Sequence, residues 1–264
     1  MKKLFRLTAV FIFLMNYSPV FGWGKTGHRV VAEIAEQNLT KRAKRQIHKI
    51  TGKQSLAYFA NHPDFIKSDP DSYKKTSSWH YVNFLPGMNK NDFNLALKES
   101  SDQNLYKRML ILTNDLNNRK NLSPEQTLES LYFLVHLMGD AHQPLHLGRE
   151  EDLGGNKIEV KWFGNNTNLH SLWDDKLVDF QKYSYTEYAG ILDYRDKKFK
   201  SKMTSGNLED WLYETYLKAD FIYSGVNNGD KLRFRYDYDH VEILESQLLK
   251  AGLRLAKVLN EIFG

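Results

Sequence analysis

Apolar residues recur at helical spacing along most of the chain. A first helix follows from one apolar stripe, and a second is bounded by a capping residue, Thr40, and by Gly52. Further stripes predict helices over 105–116, 208–221 and 241–263. The stripe of the first helix consists of Val30, Val31, Ile34, Ala35 and Leu39.

Only residues 157–163 alternate polar and apolar positions like a strand. Glycines and asparagines predict a turn on either side of it, at 154–156 and at 164–168. With so little strand among so many helices, the pattern predicts a mainly α fold: a single-domain multi-helix bundle with one short β-hairpin.

Another helix should begin at Pro124, since Ser123 and Gln126 have the spacing of a capping box. Its apolar residues cover so much of its surface that the helix must be buried. These residues are Leu128, Leu131, Tyr132, Leu134, Val135, Leu137 and Met138. His136 and Asp140 are four apart and share one face, so the two can bind one ion, whereas His142 is rotated away.

Two further segments bring donors to the same place. Pro144 cannot continue the helix, so a short turn should carry His146 back over the helix end. After the hairpin, a second helix should present His170 and Asp174 with the same four-residue spacing. Two imidazole and carboxylate pairs would then face one pocket.

A hydrogen-bonded polar core is the alternative to a metal site, because single buried histidines and aspartates are often satisfied within a core. Two such pairs with His146 between them favour metal. Zinc takes imidazole nitrogens and carboxylate oxygens, and clustered carboxylates buried without a cation carry a large desolvation cost.

The first 22 residues have the pattern of a secretory signal peptide: Lys2, Lys3 and Arg6 precede a short apolar run. Val20 and Gly22 occupy the small-residue positions of a cleavage site, so cleavage should expose Trp23. A retained membrane anchor is the alternative, but the run is shorter than the ~20 residues of a spanning helix. We therefore expect a secreted or periplasmic protein without stable membrane insertion, with residues 23–264 as its domain.

Charge and cysteine content add limits. Residues 23–264 hold 34 basic and 32 acidic residues, because the leader removes three basic residues from the total of 37. A balance of +2 is too weak to indicate nucleic-acid binding by itself. With no cysteine, the domain must be stabilised by its core rather than by disulfides.

Three more segments add candidate ligands. Asp64 occurs in N-H-P-D, and alone an aspartate after a proline is more often a turn former. His80 occurs in S-S-W-H-Y-V-N-F, and alone a histidine beside tryptophan is more often a core residue. In W-G-K-T-G-H, cleavage would give Trp23 a free α-amino group that can chelate an ion together with its own carbonyl oxygen, near His28.

Taken in order, W-G-x-x-G-H, H-x-x-G-D-x-x-Q-P-L-H, G-G-N and N-L-H-x-x-W-D resemble the zinc-dependent single-strand nucleases of the P-one/S-one type. That family shares a mostly helical fold with zinc phospholipase C. The resemblance covers nearly all of residues 23–264, down to A-G-L-R-L-A near the end.

The resemblance implies three zinc ions and divides the ligands among them, with Asp140 shared by two ions. The first ion would take Asp64, His80, His136 and Asp140; the second His146, His170 and Asp174; the third Trp23, His28 and Asp140. His48, His62, His142 and His240 would lie outside the site.

The chemistry implied by the resemblance is hydrolysis of a phosphodiester by a hydroxide bridging the two ions that share Asp140, leaving a 5′-phosphate. Bases of a single strand would stack on a flat side chain, for which Tyr81 is a candidate, a core role being equally open.

Asn83 departs from the family pattern, which has an aspartate thought to orient the attacking water; an amide accepts a hydrogen bond but takes no proton. The absence of cysteine also departs from the fungal and plant members, which have disulfides.

The sequence thus predicts a monomeric, exported zinc-dependent endonuclease acting on single-stranded DNA and RNA, with 3′-nucleotidase activity on nucleotides. Asp140 and Asn83 are its predicted catalytic residues. The alternatives are a zinc-dependent phospholipase C and a non-catalytic periplasmic zinc-binding protein.

Overall fold

The computed structural model describes residues 23–264, and the predicted leader lies outside these residues. The helices and strands, in chain order, are α1 (Lys25–Gln37), α2 (Lys41–Thr51), α3 (Leu56–Phe59), α4 (His62–Phe65), α5 (Pro70–Thr76), α6 (Lys90–Glu99), α7 (Leu105–Asn117), α8 (Pro124–Asp140), β1 (Glu159–Trp162), β2 (Asn165–Asn168), α9 (Leu169–Ser171), α10 (Leu177–Phe180), α11 (Tyr185–Leu192), α12 (Lys197–Met203), α13 (Leu208–Ser224), β3 (Lys231–Leu232) and α14 (Phe234–Phe263). The mainly α prediction is confirmed.

Helix α8 begins as its sequence predicts. The Gln126 amide donates to the Ser123 hydroxyl, and the Ser123 amide donates to the Gln126 side chain. From Leu131 onward every residue of α8 is buried, including His136 and Asp140. The helix therefore carries its two candidate ligands into the interior of the protein.

Helices α1 and α14 pack closely around the same interior. A Cβ on Gly252 of α14 would lie 2.5 Å from Cβ of Ile34 in α1, so only glycine allows this approach. The N-terminal end of α1 lies beside α8, since a Cβ on Gly139 would be 2.6 Å from Nδ1 of His28. The prediction for α14 was too short: the helix begins at Phe234, where buried Tyr236 and His240 extend its apolar face.

The sheet is larger than one hairpin. Residues 164–168 were predicted as a turn, but Asn165–Asn168 pairs with β1 as an antiparallel strand, because a tight turn at Phe163 and Gly164 reverses the chain at once. β3 then pairs with β1 in parallel. Such a pairing across about 70 residues leaves no periodic signal in so short a strand.

Among residues 23–264, no helix combines the length and apolar character that crossing a membrane requires.

Candidate metal centre

The candidate ligands converge from seven separate segments. These segments are the start of α1 with the residues just before it (Trp23, His28), α4 (Asp64), a 3₁₀ turn at Ser77–His80 (His80), α8 (His136, Asp140), a 3₁₀ turn at Pro144–Leu147 (His146), α9 (His170) and a π-helical turn at Leu172–Lys176 (Asp174). All are buried except Asp64, which is half-buried. The helix predicted to carry both His170 and Asp174 is interrupted by the π turn, which holds Asp174. The Asp174 carbonyl accepts a hydrogen bond from the Gly24 amide.

Two of the ligand groups overlap on α8. His28, His136 and Asp140 form one, with His28 Nε2 3.4 Å and His136 Nε2 3.3 Å from the Asp140 carboxylate. Asp64, His80 and His136 form another, with His136 Nε2 3.6 Å from Asp64 Oδ1. His80 Nδ1 lies 2.9 Å from Asp140 Oδ2, so Asp140 contacts both groups.

The third group consists of His146, His170 and Asp174. His170 Nε2 lies 3.1 Å and His146 Nε2 3.7 Å from the two oxygens of Asp174. His146 Nδ1 is also 3.7 Å from Asp140 Oδ1, which joins this group to the other two. Asp140 thus lies at the centre of one continuous cluster.

Backbone carbonyls fix the orientation of three of the imidazoles. Nδ1 of His136 donates to the Ala60 carbonyl at 2.8 Å, and Nδ1 of His170 donates to the Gly154 carbonyl at 2.6 Å. His146 Nδ1 likewise donates to the His80 carbonyl. Since a carbonyl only accepts, each Nδ1 carries the proton and each Nε2 keeps a lone pair directed at a carboxylate, which is the arrangement typical of metal-binding histidines.

Burial sets the charge state of the cluster. It lowers the pKa of His28 to about 4 and that of His80 well below its ordinary value, so both imidazoles are neutral at pH 7 and can donate lone pairs. Burial also raises the pKa of Asp140 and of Asp174 to about 7. A cation in the cluster would favour the ionised carboxylates.

The hydrogen bonding of the cluster is incomplete within residues 23–264. Both ring nitrogens of His28, Nε2 of His80 and Oδ1 of Asp140 are buried without a hydrogen-bond partner. A buried polar atom left in this state costs about 1–3 kcal/mol. Ions bound by imidazole nitrogen and carboxylate oxygen would satisfy these atoms, so the residues fit zinc.

Two residues of the site were missed by the sequence reasoning. Lys67 Nζ lies 2.5 Å from Asp64 Oδ1, and its side chain is only 5% exposed. The side-chain amide of Gln143 donates to Asp174, while its oxygen accepts from the Leu145 amide, so it connects Asp174 to the turn that holds His146. The available signals were the spacing of Lys67 three residues after Asp64 and the position of Gln143 beside Pro144.

Tyr81 and Asn83 lie on an extended segment next to His80. The Val82 and Phe84 amides donate to the carbonyls of His146 and Gly148, and both side chains are buried. By strand alternation Tyr81 and Asn83 point to the opposite side, where both are half-buried.

The four remaining histidines have other surroundings. His142 donates to the Met138 carbonyl and accepts from Arg254, which occupies both ring nitrogens. His240 stacks on Tyr236, His48 lies 3.5 Å from Glu36, and His62 packs near Tyr132. None of the four belongs to the three ligand groups of the described chain.

The sequence model of one protein family, S1/P1 Nuclease, matches residues 23–264. Endonuclease 2 of Arabidopsis thaliana is 28% identical over 285 residues, covering 96% of this chain and 95% of the relative. Endonuclease 5 of the same plant is 30% identical, covering 91% of this chain and 90% of the relative. Nuclease S1 of Aspergillus oryzae is 28% identical, covering 99% of this chain and 98% of the relative.

The similarity thus extends over whole chains and includes every segment that contributes to the cluster. The match of the family model to residues 23–264 identifies this chain as a member of the S1/P1 nuclease family, and therefore as a hydrolase of nucleic acids.

Proposed function

We propose that the protein is an exported, zinc-dependent endonuclease that cleaves single-stranded DNA and RNA to 5′-phosphate products and also acts as a 3′-nucleotidase. The observation that carries this proposal is the continuous cluster around Asp140. Three ligand groups meet there, and buried ligand atoms of His28, His80 and Asp140 lack hydrogen-bond partners.

Three zinc ions would be held as the family pattern implies. One would take Asp64, His80, His136 and Asp140; one His146, His170 and Asp174; and one His28, Asp140 and the amine and carbonyl of Trp23. The contacts of Asp140 with His28, His80, His136 and His146 support its role as the shared ligand.

When bound, the ions supply Lewis-acid stabilisation of the phosphate and a water acidic enough to attack at neutral pH. The residues around them orient the substrate. Lys67 donates to a non-bridging phosphate oxygen, since its ammonium group is held beside Asp64. Asn83 accepts a hydrogen bond from the attacking water but takes no proton, and Tyr81 stacks on a base.

Preference for single strands follows from burial. Because nearly all the ligands are buried, a phosphate reaches them only if its nucleotide leaves the helical stack. Stacking on an aromatic side chain stabilises an unstacked base by about 1–3 kcal/mol and tolerates any base. The enzyme should therefore cleave without sequence specificity.

Export belongs to the same proposal. Residues 1–22 would be removed as a signal peptide, releasing a monomeric nuclease domain, 23–264, into the periplasm or the medium. The complete burial of Trp23 supports a role for this residue inside the domain rather than in a linker.

The test is an assay of purified, zinc-loaded protein on single-stranded DNA, double-stranded DNA and phosphatidylcholine, with zinc content measured in the same sample. We expect three ions and cleavage of the single strand, with loss of both on chelation and recovery on zinc addition. Cleavage of phosphatidylcholine alone would indicate a phospholipase C, and bound zinc without turnover of any substrate would indicate a binding protein.

A further inference from the structure

Helix α2 presents a strongly basic surface that the proposed mechanism does not use. Its six basic residues, counting Lys53 just beyond its end, are all exposed. They are Lys41, Arg42, Lys44, Arg45, Lys49 and Lys53. The opposite face of α2, with Ala43 and Ile47, is buried in the core.

A shallow, open groove runs along one face of α2 and is lined by Lys41, Lys44, Arg45, His48, Lys49 and Lys53. Glu36 lies at one edge, 3.4 Å from Lys44 and 3.5 Å from His48. Residues 23–264 hold 34 basic residues, and without the six basic residues of α2 and its end, 28 basic and 32 acidic residues remain. The groove is therefore a local concentration of positive charge on a chain that is otherwise net negative.

Two segments of the chain run from the groove to the ligand cluster. Glu36, at its edge, and His28, in the cluster, are eight residues apart on α1, which is about 12 Å along a helix. Alongside α1, the chain leaves the groove at Lys53 and reaches Asp64 through α3 and α4. On this path Tyr58 and Phe65 are 67% and 77% exposed.

We propose that this groove is a second binding surface for the substrate, which holds backbone phosphates of a single strand several nucleotides away from the bond being cleaved. The proposal rests on the nuclease function proposed above. A stacked strand advances about 3.4 Å per nucleotide along its axis, so roughly four nucleotides span the 12 Å. A basic groove with exposed aromatic side chains beside it is the usual composition of a sequence-independent single-strand surface.

The alternative partner of a basic helix is an anionic membrane. An interfacial helix needs an apolar face to insert into the lipid. In α2 that face is already packed against the protein: Ala43 and Ile47 are buried, and Ile50 packs on the core. The surface therefore favours a polyanion, because its binding needs no apolar helix face to insert into lipid.

The test compares two triple variants of the zinc-loaded enzyme. In the first, Lys41→Gln, Arg45→Gln and Lys49→Gln remove one exposed stripe of the groove. In the matched control, Lys197→Gln, Lys198→Gln and Lys202→Gln remove three exposed lysines of α12. Each is assayed on a dinucleotide and on a single strand of about 20 nucleotides, and its affinity for a nuclease-resistant phosphorothioate strand of that length is measured by fluorescence anisotropy.

The groove variant should cleave the dinucleotide like the wild type but have a lower kcat/KM on the long strand. With each contact adding roughly 0.7 to the slope of log affinity against log salt, loss of three contacts should lower the slope by about 2 and reduce affinity at low salt by at least tenfold. The α12 variant should behave like the wild type. An equal decrease in the two variants, or an unchanged slope in the groove variant, would overturn the proposal.

A wild-type enzyme that leaves the dinucleotide intact would instead contradict the proposed function, while the anisotropy measurement would still report on the groove. Vesicles containing phosphatidylglycerol provide the remaining comparison. If the groove variant loses vesicle binding but keeps its affinity for the long strand, the surface is a membrane contact and the proposal is wrong.

Discussion

Asp140 contacts members of all three ligand groups, so its removal should affect more than one ion. We expect Asp140→Ala to fold, to bind at least two fewer zinc ions and to lose activity by several orders of magnitude. Metal analysis of the folded variant is the measurement. Asp239→Ala, which removes an exposed carboxylate paired with Arg235, is the control and should keep all three. A full complement of zinc in Asp140→Ala would refute the shared-ligand role.

Asn83 tests whether its position acts on the attacking water. Asn83→Asp should leave zinc content unchanged, add an acidic limb to the pH–rate profile and raise the neutral-pH rate, because a carboxylate can accept the proton that an amide cannot. A positioned base contributes on the order of 100-fold or more. Asn83→Ala should lower the rate without changing the shape of the profile. Identical profiles in all three proteins would exclude this role.

The sequence predicted which residues would come together better than it predicted what surrounds them. His136 with Asp140, and His170 with Asp174, could be paired because helical spacing places each pair on one face. Lys67 and Gln143 could not be found in this way. Lys67 lies three residues after Asp64, but that spacing alone does not identify a residue of the site. The contact of Gln143 with Asp174 spans 31 residues and has no periodic signal.

Long helices were predicted more accurately than short ones. Capping residues place both ends of α2 and the start of α8 correctly, whereas α14 begins earlier than its stripe indicated. The four-residue helices α3 and α4 contain too little sequence for a stripe, and β3 is only two residues long. Tertiary packing determines such elements, so local pattern does not show them.

The contact between α1 and α14 can be tested by one methyl group. Gly252→Ala should lower the free energy of unfolding by about 1–3 kcal/mol, because the added Cβ meets Ile34 and the Val31 carbonyl. Gly190 lies in the exposed part of α11, where an added Cβ would meet no neighbouring atom within 4 Å. Gly190→Ala should therefore raise the free energy of unfolding by about 0.5–1 kcal/mol. Denaturant unfolding measures both. Destabilisation of equal size at the two positions would show that the helix contact is not the cause.

Helices α13 and α14 are joined by an ion pair with a predictable pH dependence. Burial raises the pKa of Glu214, but hydrogen bonds from Lys250 and Arg254 outweigh it and lower the pKa to about 2. A carboxylate with a depressed folded-state pKa stabilises the protein above its unfolded value of 4.5, and this stabilisation is lost as the pH falls toward about 2.

Glu214→Gln should therefore lower the Tm at pH 7, and the difference from the wild type should shrink between pH 4.5 and about 2. Thermal unfolding monitored by circular dichroism over this range is the measurement. A difference that stays constant with pH would mean that Glu214 stabilises the protein by packing rather than by charge.

For the molecule as a whole, the proposed zinc ligand at Trp23 requires a free amine. A chain carrying Met or a tag before Trp23 has an amide nitrogen there, which offers no lone pair to a metal. We expect such a protein to fold, to bind one zinc fewer than the processed form and to lose activity on the order of 100-fold. Mass spectrometry should identify Trp23 as the first residue of the exported protein. Equal zinc content and activity in both forms would refute the role of Trp23.

The packing of α1 against α14 also bears on when the protein can acquire its structure. Ile34 and Gly252 are more than 200 positions apart, yet their helices lie in direct contact. Loops that join distant positions close slowly, and their contacts form only after the later partner has been synthesised. Helix α1, which carries His28, would then lack its packing partner α14 until that helix emerges from the ribosome. A chain that is exported before this step would pass through the cell as an inert polypeptide, and the host's own nucleic acids would never meet an assembled active site.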